Sequence, residues 1–104
     1  MFMSKVNKDD GRVVVKPEKD VVASMVNDFR SELHALVLEQ PSEMIIDMGG
    51  VNMVDSVGIG VIIATFNSLK KIGGEFKLSN VSKDIFSLFS TMRLDRHFSI
   101  EKAG

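Results

Sequence analysis

The spacing of apolar and polar positions divides the chain into short strands and amphipathic helices. Residues 2–7 are weakly strand-like, and the β-branched run at 12–16 predicts a second strand. The turn signal Asp9-Asp10-Gly11 between them predicts a hairpin. The apolar run at 44–46 indicates a buried strand, and residues 75–79 alternate as a half-buried strand does. The chain therefore supplies four strands before its C-terminal tail.

Three stretches carry apolar residues at helical spacing. The first extends from Val22 to about Val37, with Ser24 as its cap, or Asp20 if the helix begins earlier. The second begins near Ser56 and ends near Lys71, before the stop Gly73-Gly74. The third begins at Ser82. Their predicted core positions are Val22, Met25, Val26, Phe29, Leu33, Leu36 and Val37; Ile59, Ile62, Ile63, Phe66 and Leu69; and Ile85, Phe86 and Phe89.

The resulting order, β-β-α-β-α-β-α, requires crossover connections, because a helix separates most of the consecutive strands. We therefore expect an α/β fold with a small, mostly parallel mixed sheet, made mixed by the first hairpin. The tail at 92–100 should pack back on the domain and end in a short strand or an irregular segment. With 104 residues, one domain over 1–104 is expected, with its core at about 11–100.

Composition excludes several classes of function. The chain is 44% hydrophobic and 26% charged, which is ordinary for a globular protein. Its net charge of −1 argues against nucleic-acid binding. It has no cysteine, hence no thiolate metal site, and its two histidines have no ligand partner at helical spacing. We expect no metal and no cofactor. Without a signal peptide or membrane span, the expected location is cytoplasmic.

The stretch around Ser56 carries the candidate chemistry. Ser56 follows an apolar strand, two glycines and Asp55, and it opens an apolar helix within the sequence DSVGIG. Helix capping alone would explain a serine at this place. A hydroxyl at the end of a strand also lies where the loops of α/β sheets carry ligand and partner sites. The sequence leaves both interpretations open.

The second helix has an unusual outer side. Opposite its core positions it carries small or apolar residues, where a surface helix normally carries charge: Val57, Gly60, Val61, Ala64 and Ser68. These residues are either covered by another element of the domain or form an exposed stripe that docks a partner protein.

A catalytic role has little support. A nucleophile elbow would need glycine two residues before the serine, where this chain has Val54. No histidine is placed as its base. Gly58-Ile59-Gly60 is too short for a dinucleotide fingerprint, and there is no phosphate-binding lysine motif. We therefore expect a protein that is not an enzyme.

The segment DSVGIG after its strand and glycines resembles the signature of the STAS domain, in particular of the anti-sigma factor antagonists. The resemblance covers about residues 11–100, including LSNVS at 78–82 and MRLDRHF at 92–98. It implies a STAS-like domain with helices mainly on one face of the sheet. It also implies that the unphosphorylated domain binds an anti-sigma factor that is a serine kinase, and that phosphorylation of Ser56 ends the binding.

The resemblance further implies a metal-dependent serine phosphatase as second partner. No apolar run is long enough to span a membrane, so we expect no membrane contact. We also expect a monomer or weak dimer. The partner-binding residues it implies, together with the apolar stripe, are Asp20, Asp55, Ser56, Val57, Gly58, Gly60, Val61 and Ala64. Two departures stand out: KPEKD at 16–20 replaces a Gly-Glu-Leu-Asp type segment, and Val57 replaces a second hydroxyl. The alternatives are a constitutive STAS subunit of a transport or signalling assembly, and a nucleotide-binding module.

Overall fold

The computed structural model describes residues 4–103, which form one five-stranded sheet with three helices and a 3₁₀ turn. The strands are β1 (Ser4–Asp9), β2 (Arg12–Pro17), β3 (Glu43–Asp47), β4 (Glu75–Val81) and β5 (Ser99–Lys102). The helices are α1 (Val26–Leu38), α2 (Ser56–Lys71) and α3 (Lys83–Thr91), and the 3₁₀ turn is Leu94–Arg96. In the described residues no helix combines the length and apolar character needed to cross a membrane.

The sheet is mostly parallel, as the order of elements predicts. The strands lie in sequence order, and only the β1–β2 pair is antiparallel. Asp10 and Gly11 join that pair in a two-residue turn with φ of 51° and 83°. Such turns suit the right-handed twist of a hairpin, and glycine adopts positive φ without strain. The hairpin prediction is thus confirmed, with residues 2 and 3 outside the described part.

The core lies between the helices and one face of the sheet. Val15, Met44, Ile46 and Leu78 alternate toward the helices and are fully buried. The opposite face is mostly polar. Because the helices cover a single face, the fold agrees with the predicted STAS-like architecture.

The first helix begins later than predicted. It begins at Val26, its N-cap is Met25, and no side chain caps it. Neither Ser24 nor Asp20 is therefore its cap. Val22 and Met25 both pack on the core, so their spacing resembles that of a helix face. The backbone at residues 22–25 nevertheless forms a bend and a turn, not a helix. Tertiary contacts with the loop before α2 hold this segment.

The remaining elements follow the predictions closely. Helix α2 ends at Lys71, and Ser82 caps α3 by accepting a hydrogen bond from Ile85 N. The tail ends in a strand, β5, which pairs with β4. Strand β4 extends two residues beyond the predicted 75–79, to Val81.

Candidate functional site

Ser56 is the first residue of α2, at the end of the sheet where the parallel strands have their carboxyl ends. Its side chain is exposed, and its hydroxyl makes no hydrogen bond within residues 4–103. The cap of α2 is Asp55, whose side chain accepts from Gly58 N. Capping therefore does not explain Ser56. Its hydroxyl is free to face solvent or a partner.

Asp55 holds two segments together through both carboxylate oxygens. Oδ1 accepts from Gly58 N at 2.8 Å, and Oδ2 accepts from Ala23 N at 2.9 Å. These backbone hydrogen bonds, with Gly58 the larger contributor, lower the pKa of Asp55 because they stabilise its charged form. Asp55 is thus a fixed anion, engaged by its own chain.

Asp20 fixes the same loop from the other side. Its Oδ1 accepts from Asn52 N at 2.8 Å and from Met53 N at 3.1 Å. Val21 N donates to Met53 O, and Asp55 N donates to Val21 O. With the Ala23–Asp55 bond, five hydrogen bonds join segment 20–23 to segment 52–55. We call residues 52–56 the docking loop. The loop is consequently ordered by the domain itself.

The two glycines at the start of α2 differ in surroundings. Gly58 is buried, and a Cβ there would overlap the carbonyl oxygen of Val21 and lie 2.9 Å from its carbonyl carbon. Gly60 is exposed, and a Cβ added there would have no neighbouring atom within 4 Å. Gly58 therefore permits close approach to the chain's own backbone, and only Gly60 faces outward.

Of the two interpretations of the outer side of α2, coverage by another element holds at Val61, and the exposed stripe is wrong for that residue. Val61 is 2% exposed, because α1 packs against that side of α2 and covers it. Helix α2 is apolar on two sides because it packs against α1 on one side and contacts β4 and the ring of Phe98 on another. Val57, Gly60, Ala64 and Ser68 remain exposed, so the stripe is narrower than predicted.

Met53 is an exposed apolar residue that the sequence interpretation missed. Its side chain is 59% exposed in the docking loop, while Val57 is 41% exposed just after Ser56. Val51 and Val54, its neighbours in the same apolar run, are buried. Strand alternation does not predict this, because Val51 lies two residues before Met53 and would share its face in an extended segment. Ser56 thus has an exposed apolar residue on each side of it in sequence.

The described residues place neither a metal-binding group nor a histidine base beside Ser56. Among the described residues no group of three or more histidine and acidic side chains could hold a metal ion. Neither histidine donates to or accepts from Ser56 within residues 4–103; His34 lies on α1, and His97 contacts the ring of Phe66. What the arrangement presents is a modifiable hydroxyl on an ordered, partly apolar surface.

Comparison with known proteins gives consistent matches. The family model described as the STAS domain matches residues 3–103. The anti-sigma-B factor antagonist of Bacillus subtilis is 38% identical over 85 residues, which cover 82% of this chain and 75% of that protein.

Two solved structures share the fold. A Thermotoga maritima protein, described provisionally as an anti-sigma factor antagonist, superposes with a TM-score of 0.90 at 22% identity, covering 96% of this chain and 86% of that one. The Bacillus cell fate determinant SpoIIAA, solved in its phosphorylated form, gives a TM-score of 0.75 at 16% identity, covering 94% and 89%. At these identities the two structures establish the fold alone.

Proposed function

Because the chain belongs to the STAS domain family, we propose that it is an anti-sigma factor antagonist controlled by phosphorylation of Ser56. The observation that carries the proposal is the exposed, unbonded hydroxyl of Ser56 between exposed Met53 and Val57. The Bacillus subtilis relative, an anti-sigma-B factor antagonist, supports the antagonist role. In this role the protein is a ligand and a substrate of a serine kinase, not an enzyme.

The docking loop and the outer side of α2 form the contact surface in this proposal. Met53 and Val57 supply apolar contact area. Gly60 and Ala64 have short side chains or none, so a partner backbone can come close to this side of α2. Asp20 and Asp55 hold the docking loop in place by accepting hydrogen bonds from backbone N–H groups. Gly58 and Val61 are buried and act by setting the position of α2.

Phosphorylation would act on the interface and leave the fold intact. A phosphate adds about −1.5 to −2 charges at pH 7. At the first position of α2 this charge meets the positive end of the helix dipole, and the first turn of α2 holds no acidic residue. In a complex, however, the dianion would be desolvated beside Met53 and Val57, which is unfavourable. The modified protein should therefore stay folded and lose its partner.

The proposal places the protein in the cytoplasm, as a monomer or weak dimer. It has two protein partners, the anti-sigma factor serine kinase and a metal-dependent serine phosphatase that removes the phosphate. Any metal in the cycle belongs to the kinase and the phosphatase.

The test uses the serine kinases of the anti-sigma factor type from the source genome, purified and titrated by calorimetry. Ser56→Ala should fold and bind like wild type but resist inactivation by ATP. Ser56→Asp should bind at least tenfold more weakly, about 1.4 kcal/mol. Ser87→Asp on the exposed side of α3 is the matched control and should bind like wild type.

Intact mass and site mapping after incubation with kinase and ATP should show one phosphate, on Ser56. Equal affinity of wild type, Ser56→Ala and Ser56→Asp would contradict the switch. That outcome would favour the constitutive subunit of a transport or signalling assembly, in which Ser56 only begins a helix.

A further inference from the structure

A groove of about 190 Å³ lies between α1 and α2. Its floor includes Val61 and Thr65, which are 2% and 7% exposed. The Thr65 hydroxyl donates to Val61 O at 2.9 Å, so the floor presents no unsatisfied polar group there. One wall carries Arg30 and His34 of α1, and the other carries small residues of α2. The groove is thus apolar at its base and cationic along one edge.

Arg30 has no carboxylate partner in the part of the chain that the structure describes. Three described cations are paired with a carboxylate: Lys8 with Glu39, Arg12 with Glu43 and Lys77 with Glu101. Helix α2 contains no Asp or Glu from its first residue to its last, so the facing wall cannot neutralise the guanidinium. The positive edge of the groove is therefore open to a negative group from outside.

The groove continues the surface that begins at Ser56. Four exposed residues of α2 follow one another at intervals of four and so lie along one side of the helix: Ser56, Gly60, Ala64 and Ser68. At a rise of about 1.5 Å per residue they span about 18 Å. A partner segment lying on the docking loop can extend along this row to reach Arg30.

We propose that the α1–α2 groove receives an acidic side chain, aspartate or glutamate, from the same serine kinase that binds at Ser56. This inference rests on the proposed function and adds the chemistry of the partner. The carboxylate pairs with Arg30, which can engage both of its oxygens. The carbon stem of the acidic residue packs over Val61 between the two helices. Ala64 and Ser68 leave the space for it.

The test compares Arg30→Glu and Arg30→Gln with Lys83→Glu. Lys83 is exposed on α3, and Lys83→Glu changes the net charge by the same amount as Arg30→Glu. Kinase affinity should fall at least tenfold for Arg30→Glu, less for Arg30→Gln, and less than about twofold for Lys83→Glu, since long-range charge effects are screened by salt. Melting curves for each variant check folding. If Arg30→Glu fails to fold, Arg30→Gln supplies the comparison.

Salt dependence identifies the contact as ionic. Wild-type affinity should weaken as salt is raised, and Arg30→Gln should show a shallower dependence than wild type. Affinities of the Arg30 variants equal to that of Lys83→Glu overturn the groove inference. So does an affinity loss that is the same at low and high salt, which would mean an uncharged contact.

The two proposals fail in different ways. If Ser56→Asp weakens binding but the Arg30 variants do not, the switch stands and the acidic contact is wrong. If wild type binds none of the kinases, the proposed function is wrong and the groove inference is overturned with it.

Discussion

Small residues occur on both the inner and the outer side of α2, but their surroundings are opposite. On the inner side, Gly58 and Val61 are small because the backbone of Val21 and the helix α1 lie against them. On the outer side, Gly60 and Ala64 are small although no part of the described chain fills the space above Gly60. A small side chain on the inner side is thus required by packing. On the outer side the described fold does not require it at Gly60, and our proposal assigns these small residues to partner binding.

Adding a carboxylate to each side should give the largest contrast. Val61→Glu buries an unpaired charge and should destabilise the domain by about 3–5 kcal/mol. Val57→Glu, on a 41% exposed residue, should change stability by less than about 0.5 kcal/mol. It should nevertheless abolish kinase binding, because the charge is desolvated in the interface. Urea unfolding and calorimetric titration measure the two effects, and a stable Val61→Glu would refute the distinction between the sides.

Alanine at the two glycines should give a smaller contrast. Gly58→Ala must displace backbone at Val21, and we expect a loss of about 3 kcal/mol, the upper end for overpacking. Gly60→Ala has free space and removes a flexible residue from a helix, so it should stabilise by about 0.5–1 kcal/mol. Thermal melts of both variants decide between these signs. Equal destabilisation would show that helix position, rather than contact, governs both glycines.

The smallest expected effect concerns the carboxylate that joins the docking loop to segment 20–23. The pKa of Asp55 is lowered in the folded protein, so its stabilising contribution is present above the ordinary aspartate pKa of about 3.9. That contribution is lost as the pH falls through the lower folded-state pKa. Asp55→Asn should therefore melt at a lower temperature than wild type at pH 7. The difference should shrink below about pH 4, and a difference independent of pH would exclude the carboxylate as its cause.

Most of the fold was predictable because its local signals agree with its packing. The Asp10-Gly11 turn, the cap at Ser82 and the period of α2 each have a local physical cause. The start of α1 was not predictable in this way. Val22 has the spacing of a helix face, yet segment 20–23 is held by hydrogen bonds to a loop about thirty residues further on. Such non-local bonds leave no periodic trace in a sequence.

For the candidate site, the sequence indicated the position of Ser56 but not its surroundings. The spacing predicted that Ser56 lies at the start of α2, and it does. Val61 is buried because α1 packs on it, and the sequence of α2 alone does not predict where α1 packs. Composition does not separate Met53 from its buried apolar neighbours, although its side chain points outward. The backbone bonds of Asp20 were equally invisible, because its carboxylate acts on residues distant in sequence.

Under the proposed function, the five hydrogen bonds that hold the docking loop also affect how quickly a partner is exchanged. A loop that is already ordered loses little conformational entropy when it is bound, so each contact contributes more fully to affinity. Encounter with the partner need not wait for the loop to fold, and association can proceed at the ordinary rate of about 10⁵–10⁷ M⁻¹s⁻¹. The lifetime of the complex then depends on the contacts alone. Under the proposed switch, a single phosphate on Ser56 shortens that lifetime without any rearrangement of the domain.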